Sequence, residues 1–235
     1  MDGDNNGSFG DRVRSLPRNV WAVSLTSFFT DISSEMILTI LPLFLSNVLG
    51  VRTSIIGLIE GLAEATASLL KVFSGWLSDR LRARKWMAVL GYGISAVAKP
   101  FFYFAQSWGA VAAVRWTDRV GKGIRTSPRD ALVADSIDET QRGIAFGFHR
   151  AADTGGAVVG LLISLLVVWL AQRNTALLSQ STFRTLVLIS IVPGLVAVLS
   201  LILGSHDVAI KATRERPKIT FRALGRPFLL FMVIV

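Results

Sequence analysis

The stretch SGWLSDRLRARK, residues 74–85, decides how this chain is read. Apolar runs lead into it and away from it. Within it stand one acid, Asp79, and four bases, Arg80, Arg82, Arg84 and Lys85. A loop this short and this basic between two membrane-length apolar runs is expected on the cytoplasmic side of a membrane.

Working outward, a spanning helix needs about 20 mostly apolar residues. Six runs qualify, at about 20–45, 55–76, 86–104, 110–125, 144–170 and 186–203, and a seventh begins near Pro227 and is cut off at Val235. The fourth is the least apolar, because Arg115, Asp118, Arg119 and Lys122 interrupt it. The 235 residues are 51% hydrophobic with a net charge of +9. Only 17% are charged, below the ~25% usual for soluble domains. The bases cluster in short loops between apolar runs, a topogenic pattern and not the footprint of a nucleic-acid binder. No cysteine is present, which removes disulfides and thiolate metal sites.

The expected organisation is a cytoplasmic tail over 1–19, a six-helix transmembrane bundle over 20–204, a basic cytoplasmic linker over 205–226 and the start of helix seven over 227–235. The tail carries Arg12, Arg14 and Arg18; the linker carries Lys211, Arg214, Arg216, Lys218, Arg222 and Arg226; the opposite face shows Arg52, Arg173 and Arg184. This asymmetry puts the N-terminus inside an inner, or plasma, membrane. Ser127-Pro128-Arg129-Asp130 reads as a helix start, with Ser as N-cap and Pro in the first turn, opening a short amphipathic surface helix over ALVADSIDE.

Ionisable groups inside the spans are the informative ones, because a charge at the bilayer centre costs about 2.5–3.5 kcal/mol on insertion scales. Asp31 and Glu35 are spaced i, i+4; Glu60, Glu64 and Lys71 share a face of the second span; Arg115, Asp118, Arg119 and Lys122 form a stripe on the fourth; His149, Arg150 and Asp153 lie within one turn of the fifth. With Lys99, the intramembrane acids and bases are equal in number, which implies mutual pairing in a shared interior. Glu60, Lys71, Lys99 and Lys122 lie toward span ends, where snorkelling or clamping is the expected role. Asp31, Glu35 and Arg115 lie near mid-span. Two carboxylates one turn apart compete to ionise, and Arg115 is the expected partner of Asp31 or Glu35. Gly155, Gly156 and Gly160 allow close helix approach, and Pro42, Pro100 and Pro193 permit kinks.

Gly75-Trp76-Leu77-Ser78-Asp79-Arg80, followed by Arg84-Lys85, resembles the loop signature of the major facilitator superfamily between its second and third helices. Arg82 stands where that family usually has Gly, and Ala83 where it often has Arg. Arg115 with Gly121 and Gly123 is similar to the family's fourth-helix motif. Gly155, Gly156 and Gly160 resemble its fifth-helix motif, with Leu161 in place of the usual Pro. FFTDISSEM (28–36) and DRVGKGIRTSPRDALVADS (118–136) resemble one bacterial subgroup. The resemblance implies an all-α polytopic protein, the N-terminal six-helix half of a facilitator-type transporter. It puts Gly75, Asp79, Arg80, Arg84 and Lys85 in a conformational gate and ties Arg115 to proton coupling.

The expected function is secondary active transport of a small solute by alternating access, proton-coupled, with efflux favoured over uptake. Asp31, Glu35, Glu64, Arg115, Asp118, Arg119, His149, Arg150 and Asp153 are the candidate coupling or substrate residues. The expected partners are the lipid bilayer, a small-molecule substrate, and a C-terminal six-helix half or a second chain. One alternative is transport of a divalent metal or metal chelate on Asp31, Glu35, Glu64, His149 and Asp153. Another is a half-transporter scaffold or assembly protein. Neither a resident metal nor a cofactor is expected. Nothing in the chain spells a nucleophile–base set, a phosphate loop or a metal-hydrolase motif, so an enzyme is not expected.

Overall fold

A computed structural model describes residues 8–172 and 177–208. A short helix, α1 (Phe9–Arg14), precedes the first span, α2 (Arg18–Leu38). This span does not run unbroken to residue 45. It stops at Thr39, and the chain continues as a single turn, α3 (Leu41–Leu43), and a π-helical turn over Phe44–Val48. Pro42 sits in the first turn of α3, where its missing N–H prevents the regular ladder from continuing. Gly50, at φ 65°, turns the chain into α4 (Thr53–Leu81). Then follow α5 (Arg84–Ala98), tightened to a 3₁₀ helix over Lys99–Phe104, α6 (Trp108–Asp135), α7 (Arg142–Ala171) and α8 (Gln180–Gly204). Ser107 and Ser179 cap α6 and α8 by accepting from Ala110 N and Thr182 N. The six spans are thus α2, α4, α5, α6, α7 and α8. Four of them are long and apolar enough to cross a membrane by composition alone; α4 and α6 carry the charges described below.

The helix start at Ser127-Pro128 does not form. The helix runs through Pro128 to Asp135, and the Ser127 hydroxyl donates to the Lys71 carbonyl of α4 at 2.7 Å instead of capping. Packing against α4 and α5 outweighs the local cap signal. Nor is the segment after it a surface helix: Leu132 and Val133 are fully buried among Val20, Ala88, Tyr92 and Leu201.

Two helices organise the bundle. α2 packs along α7 and α8, and α6 packs along α4 and α5. The first helix of each set of three therefore lies between the second and third helices of the other set. An apolar cluster at one end is built around Met36, Leu41, Phe44 and Phe183, with Phe44 and Phe183 stacked at 3.9 Å. A second, at the other end, is built around Val20, Tyr92, Leu132 and Leu201. The charged and hydroxyl-bearing stretches of α2 and α6 lie between them along the helices.

Close approach is set by glycine. A Cβ on Gly121 of α6 would lie 2.6 Å from the Gly91 carbonyl oxygen of α5, and one on Gly160 of α7 would lie 2.7 Å from the Ile32 carbonyl oxygen of α2. Gly156 meets the Phe28 backbone still more tightly, whereas Gly155 faces only the Phe28 ring at 3.8 Å and is not a close-approach position. Between α4 and α5, Arg82 takes the left-handed conformation at φ 54°. The turn that glycine favours is kept, at about 1–2 kcal/mol of backbone strain.

Candidate functional site

The interior charges form two groups. The first joins α4 to α6. Arg115 donates to the Glu60 carboxylate from Nε at 3.0 and 3.1 Å and from Nη2 at 2.5 Å, and reaches Asp118 Oδ2 at 3.5 Å. Arg119 and Lys122 face Glu64 at 3.5 and 3.8 Å. Arg115 therefore does not pair with Asp31 or Glu35. Its helix packs on α4, and its reach is spent there. Glu35 accepts from Thr39 Oγ1 at 3.2 Å, with its Cβ side against Gly160.

The second group joins α2, α5, α6 and α7. Asp31 meets the carboxyl of Asp153 on α7, with Arg125 and Arg129 in electrostatic reach. Its like-charge neighbour is thus Asp153 and not Glu35, because the glycines of α7 bring that helix onto the backbone of α2. Arg129 Nη1 lies 3.9 Å from Asp153 Oδ1 and donates to Ser27 Oγ at 3.3 Å. Ser27 in turn shares a 3.0 Å hydrogen bond with the Tyr92 hydroxyl. Arg125 stacks over the Tyr92 ring, 4.6 Å from its centroid, and donates to Ser95 Oγ at 2.6 Å.

Lys99 corrects the sequence reading. It does not snorkel to a span end. It is 3% exposed and donates to Ser33 Oγ and Ser34 Oγ of α2 at 3.0 and 2.9 Å. Asp118 and Asp31 are its acidic neighbours. Arg150 is also corrected: its side chain is 78% exposed, and among the described residues its one ion pair is with Asp153 at 3.3 Å. His149 is 5% exposed, and neither ring nitrogen has a hydrogen bond among the described residues. No three His, Asp or Glu side chains gather to hold a metal among the described residues. The five ligands of the metal reading are accordingly dispersed over α2, α4 and α7.

Sequence reasoning gave Lys99 only a span-end role and placed no site at Arg125, Arg129 or Tyr92. The signal for the arginines was present. Arg115, Asp118, Lys122, Arg125 and Arg129 follow steps of three and four, a single stripe on one helix. Placing a helix boundary at Ser127 cut that stripe in two.

At the basic-loop end, Arg84 bridges Asp79 at 3.0 Å and Asp135 of α6, and donates to the Ala131 carbonyl at 3.0 Å. Gly75 lets α4 approach Ser127, to whose Cβ an added methyl would come within 3.2 Å. Lys85 Nζ donates to the Ile202 and Ser205 carbonyls at the end of α8, at 2.8 and 2.6 Å. Arg80 stays outside this network, over the Trp76 ring at 5.5 Å. Asn19 holds the same corner: it donates to Ser136 Oγ and the His206 carbonyl and accepts from His206 N. The expected linker beyond residue 208 and the start of helix seven lie outside the described residues.

A six-helix bundle with self-paired charges inside and apolar side chains outside defines a polytopic membrane protein of the transporter class. The chain belongs to the Major Facilitator Superfamily, whose family model matches residues 23–235. It is 38% identical over 225 residues to an uncharacterized MFS-type transporter of Methanocaldococcus jannaschii, covering 94% of this chain and 53% of that protein. It is 25% identical over 206 residues to multidrug resistance protein MdtH of Aeromonas hydrophila, covering 88% of this chain and 49% of that protein. Its fold resembles that of a bacterial homolog of the human lysosomal transporter Spinster, solved inward-facing and unoccupied, with a TM-score of 0.62 at 16% identity. That match covers 90% of this chain and 48% of the other. The chain thus spans about half the length of the relatives it matches.

Proposed function

We propose that this bundle is one half of a proton-coupled secondary transporter that exports a small organic solute by alternating access. The observation that carries the reading is the Asp31–Asp153 contact, flanked by Arg125 and Arg129 in the interior. Two carboxylates in contact compete to ionise, and an arginine at one side decides whether both can stay charged. A proton held between them is released when Arg129 swings fully onto Asp153, and is taken up when it withdraws. His149, buried beside this group with free ring nitrogens, is the second proton-handling candidate. The substrate site then lies between this bundle and a second six-helix bundle, supplied by the rest of the polypeptide or by a second chain. That one relative is named a multidrug resistance protein is consistent with this direction and solute class.

In this reading the Asp79–Arg84–Asp135 network is the gate on the cytoplasmic side. Orientation is testable by itself: cysteines introduced at Arg84 and Asn174 are expected to label from opposite sides of the membrane, and same-side labelling overturns it.

The coupling test uses the full-length protein in everted vesicles, with ethidium as the solute and an imposed pH gradient. Asp31→Asn and Asp153→Asn are each expected to lose gradient-driven accumulation by at least about tenfold, within the range of site-to-site couplings. Downhill ethidium exchange should persist. If both variants accumulate ethidium like the wild type under the same gradient, the pair does not carry the coupled proton.

A further inference from the structure

A groove of 470 Å³ runs down the outside of the bundle between α2 and α8. Trp21, Leu25, Val196, Leu199 and Leu203 form its walls, and Arg18 stands at its rim. The two helices touch at small residues: a Cβ on Gly204 would lie 2.8 Å from the Ala22 Cβ. The larger neighbours then stand apart on either side of a shallow channel. Its volume is within the ~300–1,000 Å³ of small-ligand sites.

The rim is positive and the walls are not. Arg18 is exposed, and its Nη2 donates to the Leu203 carbonyl at 2.8 Å. It makes no ion pair among the described residues, and a guanidinium has five donors, so most of its capacity faces outward. Lys85 caps the same helix end through the Ile202 and Ser205 carbonyls. Asp207 also stands at this end and accepts from Lys85 N at 2.8 Å; the two full positive charges still exceed its charge together with the roughly half negative charge of a helix C-terminus. Trp21 is packed edge-on against Phe148 at 4.5 Å, one turn from the basic end of α2. An indole at that depth is the usual marker of the membrane–water boundary.

A positive rim at that boundary, continuous with an apolar channel running toward the membrane centre, matches an amphiphile with an anionic head. We infer that the groove is a binding site for an acidic phospholipid, its phosphate against Arg18 and one acyl chain along Trp21, Leu25 and Leu199. A soluble anion leaves the walls unmatched. A zwitterionic lipid brings an ammonium group toward the same arginine. Basic pockets between spanning helices recognise lipid head groups by this combination of charge and apolar contact. The groove opens on the outer surface of the bundle, away from the Asp31–Asp153 pair, and does not depend on the transport reading.

The test is native mass spectrometry of the full-length protein, equilibrated in detergent with equal amounts of phosphatidylglycerol and phosphatidylcholine. The wild type is expected to retain phosphatidylglycerol about fivefold over phosphatidylcholine, the preference one basic side chain supplies near a membrane surface. Arg18→Gln should bring the two lipids to parity. Ser200→Trp, which fills the groove, should lower retention of both. Arg52→Gln, a base at the other end of the bundle, should leave the preference intact. Parity in the wild type overturns the site, as does a preference that survives both Arg18→Gln and Ser200→Trp, or one that Arg52→Gln removes as effectively. Should Arg18→Gln fail to accumulate, Ser200→Trp decides alone: unchanged retention of phosphatidylglycerol in that variant overturns the site.

Discussion

Replacing Arg115 with Met is expected to lower the stability of the protein by about 3 kcal/mol, the lower end of the range for breaking one side of a buried ion pair. The buried guanidinium serves two acids. It holds Glu60 through contacts at 3.0, 3.1 and 2.5 Å and reaches Asp118 Oδ2 at 3.5 Å, while Asp118 Oδ1 has no hydrogen bond among the described residues. Without Arg115, Glu60 carries an unpaired charge within a membrane span. Partial exposure of Glu60 places the effect at the low end. Arg115→Lys should recover only part of the loss, because an ammonium cannot repeat the fork that grips both Glu60 oxygens. Arg115→Met combined with Glu60→Met should recover more, since replacing both partners with apolar side chains removes the unpaired charge. Thermal unfolding of the four proteins in one detergent reads the cycle. A double variant less stable than Arg115→Met shows that the pair is not what Arg115 supports.

Adding a side chain at Gly156 should have an effect of the same order. A Cβ there enters the backbone of Phe28, with the Phe28 Cα 2.9 Å away. Backbone atoms cannot rotate aside as a side chain can, so α2 and α7 must separate. Overpacking of this kind costs about 1–3 kcal/mol in well-packed interiors. In lipid no hydrophobic penalty holds parted helices together, because tails replace the lost contacts. Gly156→Val and Gly160→Val are both expected to abolish accumulation of folded protein. Gly155→Ala, whose methyl meets only the Phe28 ring at 3.8 Å, should accumulate normally. Equal yield and equal melting for Gly156→Val and Gly155→Ala would disprove the close approach. Separation of α2 from α7 would also part Asp31 from Asp153, so a surviving Gly156→Val protein should lose proton-coupled accumulation.

Much of the architecture is written locally. Apolar length marks the spans, and the break between α4 and α5 falls within the basic stretch, but only Arg82 and Ala83 lie between the helices, with Arg80 in the last turn of α4 and Arg84 and Lys85 in the first turn of α5. Gly156 and Gly160, one turn apart, mark a close-packed face of α7 by residue type and spacing alone. The stripe on α6 is read too, but only as far as Lys122, because a helix boundary is placed at Ser127. There a capping signal of ordinary strength competed with a helix that has neighbours on both sides, and the neighbours won. The same competition misplaced ALVADSIDE: its polar pattern suits a surface helix, yet Leu132 and Val133 are needed to close the core beneath Tyr92.

Which charge meets which was not legible. The sequence by itself determined that the spans carry both acids and bases and that these lie on definite helix faces. Only the tertiary structure decided that Arg115 serves Glu60, that Asp31 faces Asp153, and that Lys99 lies under Ser33 and Ser34 and not at a span end. The reason is physical. Hydropathy, charge and helical period are properties of neighbours along the chain, whereas ion-pair partners are fixed by which helices touch. That choice is made by glycines and small side chains that carry no charge: Gly156 and Gly160 bring α7 onto α2, and Gly121 brings α6 onto α5.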